Sequence, residues 1–164
     1  MTTSPFAPDL LAGKRILITG GGTGLGRGVA RHLVDHGAEV HLWGRRGGVL
    51  AEARRRGVRV PAGLGAHRDR RRPRRRRRRD EPALGRDGAL TGVLNNAAAN
   101  FIAPTESLSP RAFDAVTSTV MTGTFHTTHA AGRRWIAAGL PGSVLSTLTT
   151  WQVARRARCA RTRR

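Results

Sequence analysis

The sequence predicts an α/β fold, a doubly wound parallel sheet in a single domain. Three observations predict it. Short apolar runs at 15–19, 39–43 and 90–94 have the length and β-branched content of strands buried on both faces. Apolar residues recur at helical spacing after the first and third of these runs, and a glycine-rich turn, Gly20 to Gly26, joins the first run to its helix. A chain of 164 residues is long enough for one core and too short for two ordinary ones.

Arg15-Ile16-Leu17-Ile18-Thr19 is the first strand. From Gly24 to His36, Leu25, Val29 and Leu33 recur every four residues and Gly37 supplies the stop, so a helix follows. Glu39 to Trp43 is the second strand. Strand, turn, helix and strand within about thirty residues make a βαβ unit, whose right-handed crossover makes the strands parallel. Leu90 to Leu94 forms another buried strand, ending at Asn95-Asn96-Ala97-Ala98 and a loop through Asn100, Phe101 and Pro104. Ser109-Pro110 pairs an N-cap serine with proline at the first helical position, and Phe113, Val116 and Val120 follow at helical spacing. That helix is expected to continue to about Ala138, where Gly139, Pro141 and Gly142 stop it; Ser143 to Leu148 is a fourth strand.

Charge divides the chain. Lys and Arg number 30 against 10 Asp and Glu, a formal net charge of +20, yet residues 51–86 and 151–164 alone hold 21 of those basic side chains. Arg70 to Arg79 is nearly pure arginine; it buries no face, repels itself and is expected to be a disordered insert, with 151–164 a basic tail. Three readings of these stretches stand. They form a nucleic-acid-binding arm, although no aromatic is interleaved to stack bases; or a solvated loop without function; or segments translated out of frame. The third fits best, because GC-rich coding DNA read in a shifted frame gives arginine, glycine, alanine and proline, as 51–86 and 151–164 do.

Composition removes other classes. Cys159 is the sole cysteine, which rules out an internal disulfide framework and a cysteine-based zinc site and suits a reducing, cytoplasmic compartment. Met1 to Leu11 has no signal-peptide pattern and no 18 apolar residues run together, so neither secretion nor a membrane span is expected. His126 and His129 lie three apart but lack a third ligand, and no metal is expected. No Gly-x-Ser-x-Gly is present for a serine hydrolase.

The chemistry lies in Thr19-Gly20-Gly21-Gly22-Thr23-Gly24-Leu25-Gly26. Between a strand and a helix, such a turn presents backbone N–H groups and a helix N-terminus to an anion, in the manner of a Rossmann-like dinucleotide site. Gly20 makes the turn, and Gly24 and Gly26 permit close approach. An NAD site wants a carboxylate at the end of the second strand, whereas Leu42-Trp43-Gly44-Arg45-Arg46 offers Arg45 to a 2′-phosphate, so NADP(H) is expected over NAD(H).

These residues resemble the short-chain dehydrogenases/reductases. Thr19-Gly20-x-x-x-Gly24-x-Gly26 stands as the cofactor motif and Asn95-Asn96-Ala97-Ala98 as the family's Asn-Asn-Ala-Gly, with Ala98 departing from glycine. Together with Asn95 to Phe101, Pro104-Thr105-Glu106, Leu108-Ser109-Pro110 and Leu145 to Thr150, the pattern is most similar to the 2,4-dienoyl-CoA reductase branch and covers about residues 8–50 and 87–150. The resemblance implies NADP(H) held by Gly20, Gly22, Thr23, Gly24, Leu25, Gly26, Arg45, Asn95 and Ala97, an unsaturated fatty acyl-CoA as small-molecule substrate, a homo-oligomeric habit, and Thr150 near the place of the catalytic serine or threonine. It also implies an active-site tyrosine and lysine after Thr150. The chain has no tyrosine, its sole lysine is Lys14, and the family's last strands and helices are absent, so the sheet is expected to be incomplete and this chain to bind NADP(H) weakly or not at all and to be inactive. An asparagine of the family's proton relay is Val120 here.

Overall fold

The computed structural model describes residues 5–44, 89–100 and 103–148. Arg45, Thr150, Cys159 and the arginine-rich stretches 51–86 and 151–164 lie outside the described residues.

The elements run β1 (Arg15–Thr19), α1 (Gly24–Asp35), β2 (Glu39–Trp43), β3 (Gly92–Asn95), a 3-10 turn (Thr105–Ser107), α2 (Pro110–Thr117), a π-helical turn (Ser118–Thr122), α3 (Gly123–Ala138) and β4 (Ser143–Ser146). All pairings are parallel and the sheet order is β2-β1-β3-β4. The chain therefore winds outward from β1 in both directions, as expected of a doubly wound sheet. Alternate residues of each strand face opposite layers. Ile18, Val40, Leu42 and Leu94 pack with Ala30 of α1, while Leu17, Leu90 and Val93 pack with Ala131 and Trp135 of α3. Two thin cores sandwich one sheet.

Capping follows the sequence signals. Gly37, at φ +89°, ends α1, with its N–H donating to Val34 O and that of Ala38 to Leu33 O. Ser109 Oγ accepts from the Ala112 amide at 3.2 Å, Pro110 opens α2, and Gly139 closes α3 in the left-handed region.

Three expectations need correction. The single helix from 110 to 138 is interrupted by the π turn Ser118–Thr122. Thr117 Oγ1 donates to Phe113 O, and Ser118 Oγ and Thr119 Oγ1 both donate to Ala115 O, so three successive hydroxyls compete for the carbonyls that a regular helix would use. The third strand starts at Gly92 rather than Leu90. Thr91 N–H donates to Arg15 O and Thr91 O accepts from Ser143 N–H, but the Arg15 amide goes to Thr91 Oγ1 and Leu90 O accepts from Trp135 Nε1, so the regular ladder begins only at Gly92. The fourth strand, expected to span 143–148, ends at Ser146, and all four of its residues are exposed.

Trp135 ties α3 to the sheet. Its Nε1 donates to Leu90 O at 2.6 Å, and a Cβ on Gly142 would come within 2.2 Å of the indole, so only glycine fits there. Trp135→Phe keeps most of the apolar contact but orphans a buried carbonyl, with an expected loss of about 1–2 kcal/mol in urea unfolding. An unchanged urea midpoint would show that the bond contributes nothing.

Candidate functional site

The site forms where β1 ends. Gly20 turns the chain at φ +68° and its N–H donates to Trp43 O at 2.7 Å, fixing the turn against the carboxyl end of β2. A Cβ on Gly20 would lie 2.9 Å from Ala97 Cα, so the turn and the segment after β3 approach backbone to backbone. Gly22 is partly buried, Thr23 is exposed and precedes α1 in an extended conformation, and Gly24 starts the helix at φ +54°.

Gly24 and Gly26 have different jobs. A Cβ on Gly24 would meet nothing within 4 Å, so this glycine borders open space at the helix N-terminus. A Cβ on Gly26 would stand 2.5 Å from Asn96 Nδ2 and 2.7 Å from Gly20 O. Gly26 is buried and lets the helix pack closely against the turn. Leu25, placed by its periodicity in the helix's apolar series, is 64% exposed beside that open space; the helix packs through Ala30, Val29, Leu33 and Val34 instead.

Thr19 and Asn96 hold the turn. The amides of Asn96 and Ala97 both donate to Thr19 Oγ1 at 3.0 Å. Asn96 Nδ2 in turn reaches Thr19 O at 3.3 Å and Gly20 O at 3.4 Å, and Thr147 Oγ1 donates to Asn96 Oδ1 at 3.4 Å. The ends of β1, β3 and β4 are thus laced together around one asparagine. Sequence reasoning named Asn95 and passed over Asn96; the signal available was the Asn-Asn doublet at a strand end, which does not say which residue faces the turn. Asn95 is buried, its Nδ2 donating to Thr128 Oγ1 of α3 at 3.0 Å, so its side chain braces the sheet against the helix. Ala97 lies against the turn through its backbone, its amide donating to Thr19 Oγ1.

This arrangement can bind an anion. Arg27 N–H donates to Thr23 O as the helix bonding begins, so the amides of Gly24, Leu25 and Gly26 lie ahead of it, at the positive end of the helix dipole. The first turn of α1 carries no acidic residue to oppose a negative charge. The open space beside Gly24 leaves the approach to these amides clear. The residues present fit a diphosphate. Among the described residues no group of three or more His, Cys, Asp or Glu gathers, and His126 and His129 instead contact the Phe125 ring. No helix among them is long and apolar enough to cross a membrane.

A parallel sheet wound outward from β1, with a glycine turn leading into a helix at its carboxyl end, defines a Rossmann-like α/β domain. Residues 14–150 match the short chain dehydrogenase family, and the chain belongs to it. It is 38% identical over 143 residues to the peroxisomal 2,4-dienoyl-CoA reductase of Arabidopsis thaliana, an alignment covering 85% of this chain and 47% of that protein. A probable 2,4-dienoyl-CoA reductase of Bacillus subtilis is 33% identical over 140 residues, covering 84% and 55%. The chain spans about half the length of these curated relatives. Among solved structures, a short chain dehydrogenase from Bacillus anthracis superposes with a TM-score of 0.71 at 31% identity, over 89% of this chain and 60% of that one.

Proposed function

We propose that this chain is the dinucleotide-binding part of an NADP(H)-dependent reductase of unsaturated fatty acyl-CoA, and that by itself it binds the cofactor without turning substrate over. The observation that carries the reading is the glycine turn of β1, open at Gly24 and clamped by Thr19 and Asn96, in a chain 38% identical to a 2,4-dienoyl-CoA reductase. NADP(H), when bound, supplies hydride chemistry. The chain's own residues bind and orient it: the first-turn amides of α1 take the diphosphate, and Arg45 pairs with the 2′-phosphate.

Proton supply is what this chain lacks. It contains no tyrosine, and Lys14, its sole lysine, precedes β1 at the amino end of the sheet, about 16 Å of strand away from the glycine turn. Loss of a positioned acid costs about a hundred- to ten-thousand-fold in rate. NADPH mixed with the 164-residue chain and a 2,4-dienoyl-CoA is expected to keep its absorbance; turnover at ordinary enzyme rates would overturn the reading. We place the chain in the cytoplasm, in keeping with its single cysteine.

Arg45→Glu tests the choice of cofactor. A charge-assisted bond to phosphate contributes about 1.5–3 kcal/mol, so NADP+ affinity is expected to fall about ten- to a hundredfold while NAD+ affinity holds or rises. Equal losses for both, or no loss, would remove Arg45 from the site.

The clustering of 21 basic side chains in 51–86 and 151–164 favours a second reading, binding to nucleic acid. Salt-sensitive retention on single-stranded nucleic acid that disappears on deleting 70–79 would support it, and retention unchanged by that deletion would not.

A further inference from the structure

We infer, resting on the cofactor reading above, that Asn96 is a positioning residue for the dinucleotide's diphosphate: its side-chain amide draws the carbonyls of Thr19 and Gly20 onto itself, so that N–H groups rather than carbonyl oxygens face the anion. The group concerned is the diphosphate common to NADP+ and NAD+.

An anion held at the end of β1 needs donors and is repelled by carbonyl oxygens. The glycine turn brings both to one place. Gly20 N–H is bonded to Trp43 O, but the Gly20 carbonyl lies against the first turn of α1, where a Cβ on Gly26 would stand 2.7 Å from its oxygen. The same Cβ would stand 2.5 Å from Asn96 Nδ2, so carbonyl and side-chain amide meet beside the helix N–H groups assigned to the diphosphate. Asn96 Nδ2 donates to Thr19 O at 3.3 Å and to Gly20 O at 3.4 Å. One neutral donor group thereby occupies two acceptors next to the anion's approach.

The orientation of the amide follows from what surrounds it. A primary amide has two donors at one end and an acceptor at the other, and carbonyls only accept, so the Nδ2 end must face Thr19 and Gly20. Asn96 Oδ1 at the far end accepts from Thr147 Oγ1 at 3.4 Å, and Asn96 N–H donates to Thr19 Oγ1 at 3.0 Å, which fixes the backbone that carries the amide. Asn95 does not share this role, because its own Nδ2 is bonded to Thr128 Oγ1 of α3.

Asn96→Leu keeps much of the shape and leaves both carbonyls without their donor. Calorimetric titration of the full chain is expected to show NADP+ affinity at least about tenfold weaker in this variant, at a temperature where circular dichroism shows it folded. Asn96→Asp, which sets acceptors against the carbonyls, is expected to lose more. A leucine variant that binds NADP+ within about threefold of the natural chain would overturn the inference and leave the cofactor reading standing. Proton–nitrogen spectra of the natural chain titrated with inorganic pyrophosphate give a readout that needs no variant to fold. The N–H protons of Gly24, Leu25 and Gly26 are expected to move downfield while the Asn96 Nδ2 protons, still bonded to the two carbonyls, hold their positions. Asn96 Nδ2 protons that move as far as the helix amides would make the side chain a direct ligand contact and overturn its positioning role. No binding of NADP+ by the natural chain and no pyrophosphate-induced shift would overturn both readings.

Discussion

Thr19→Val is expected to destabilise the fold by about 2–5 kcal/mol, because valine keeps the shape of threonine and removes the one oxygen on which two backbone amides converge. Thr19 Oγ1 accepts from Asn96 N and Ala97 N, both at 3.0 Å, and the residue itself is buried. Each amide left facing the buried valine without a partner costs about 1–3 kcal/mol, more than the bond contributed when made. The damage also spreads to the ligand. Asn96 carries the carbonyls of Thr19 and Gly20 through its own amide, so a loosened Asn96 frees the glycine turn. Thr19→Ser retains the oxygen and is expected to recover most of the loss in urea unfolding. If valine and serine variants unfold at the same concentration, the convergence at Thr19 has no energetic role.

Gly26→Ala and Gly24→Ala are expected to fail in opposite ways. At Gly26 the new Cβ would stand 2.7 Å from Gly20 O and 3.0 Å from Gly21 Cα, backbone atoms that cannot rotate aside. Overpacking of this kind costs about 1–3 kcal/mol, so the variant loses stability first and binding as a consequence. At Gly24 the Cβ enters open space, and the fold pays only the left-handed backbone penalty of about 1–2 kcal/mol. That same Cβ occupies the approach to the α1 amides, so NADP+ binding is expected to fall at least about tenfold in a chain that still folds. Thermal unfolding and calorimetry on both variants separate the effects; a Gly24→Ala chain that binds NADP+ normally would move the ligand elsewhere.

Local signals were the legible ones. β1, α1 and β2 follow from four-residue and β-branched spacing closed by Gly37, and their bounds agree with the sequence to within a residue. The N-cap at Ser109 and the left-handed stop at Gly139 were equally plain. What sequence could not show were contacts between segments far apart. Asn96 meets Thr19 across 77 positions and Thr147 across 51, and Thr128 meets Asn95 across 33, so no spacing rule picks Asn96 over Asn95. Leu25 misled for a related reason: its periodicity is that of the helix's apolar face, but it stands in the first turn, ahead of the sheet that covers Ala30. The π turn came from hydroxyls at 117–119 bonding back to the helix, a competition that apolar periodicity does not register. Arg45 and Thr150, on which cofactor choice and catalysis were placed, lie outside the described residues and rest on sequence.

The central claim is that the turn from Gly20 to Gly26 binds a dinucleotide. Titration of the folded 164-residue chain with NADP+ and NAD+ in parallel, by calorimetry, tests it most directly. The account predicts saturable one-to-one binding that is tighter for NADP+. A chain whose circular dichroism shows the α/β fold, yet which gives no binding heat and no change in tryptophan emission with either dinucleotide, would contradict it.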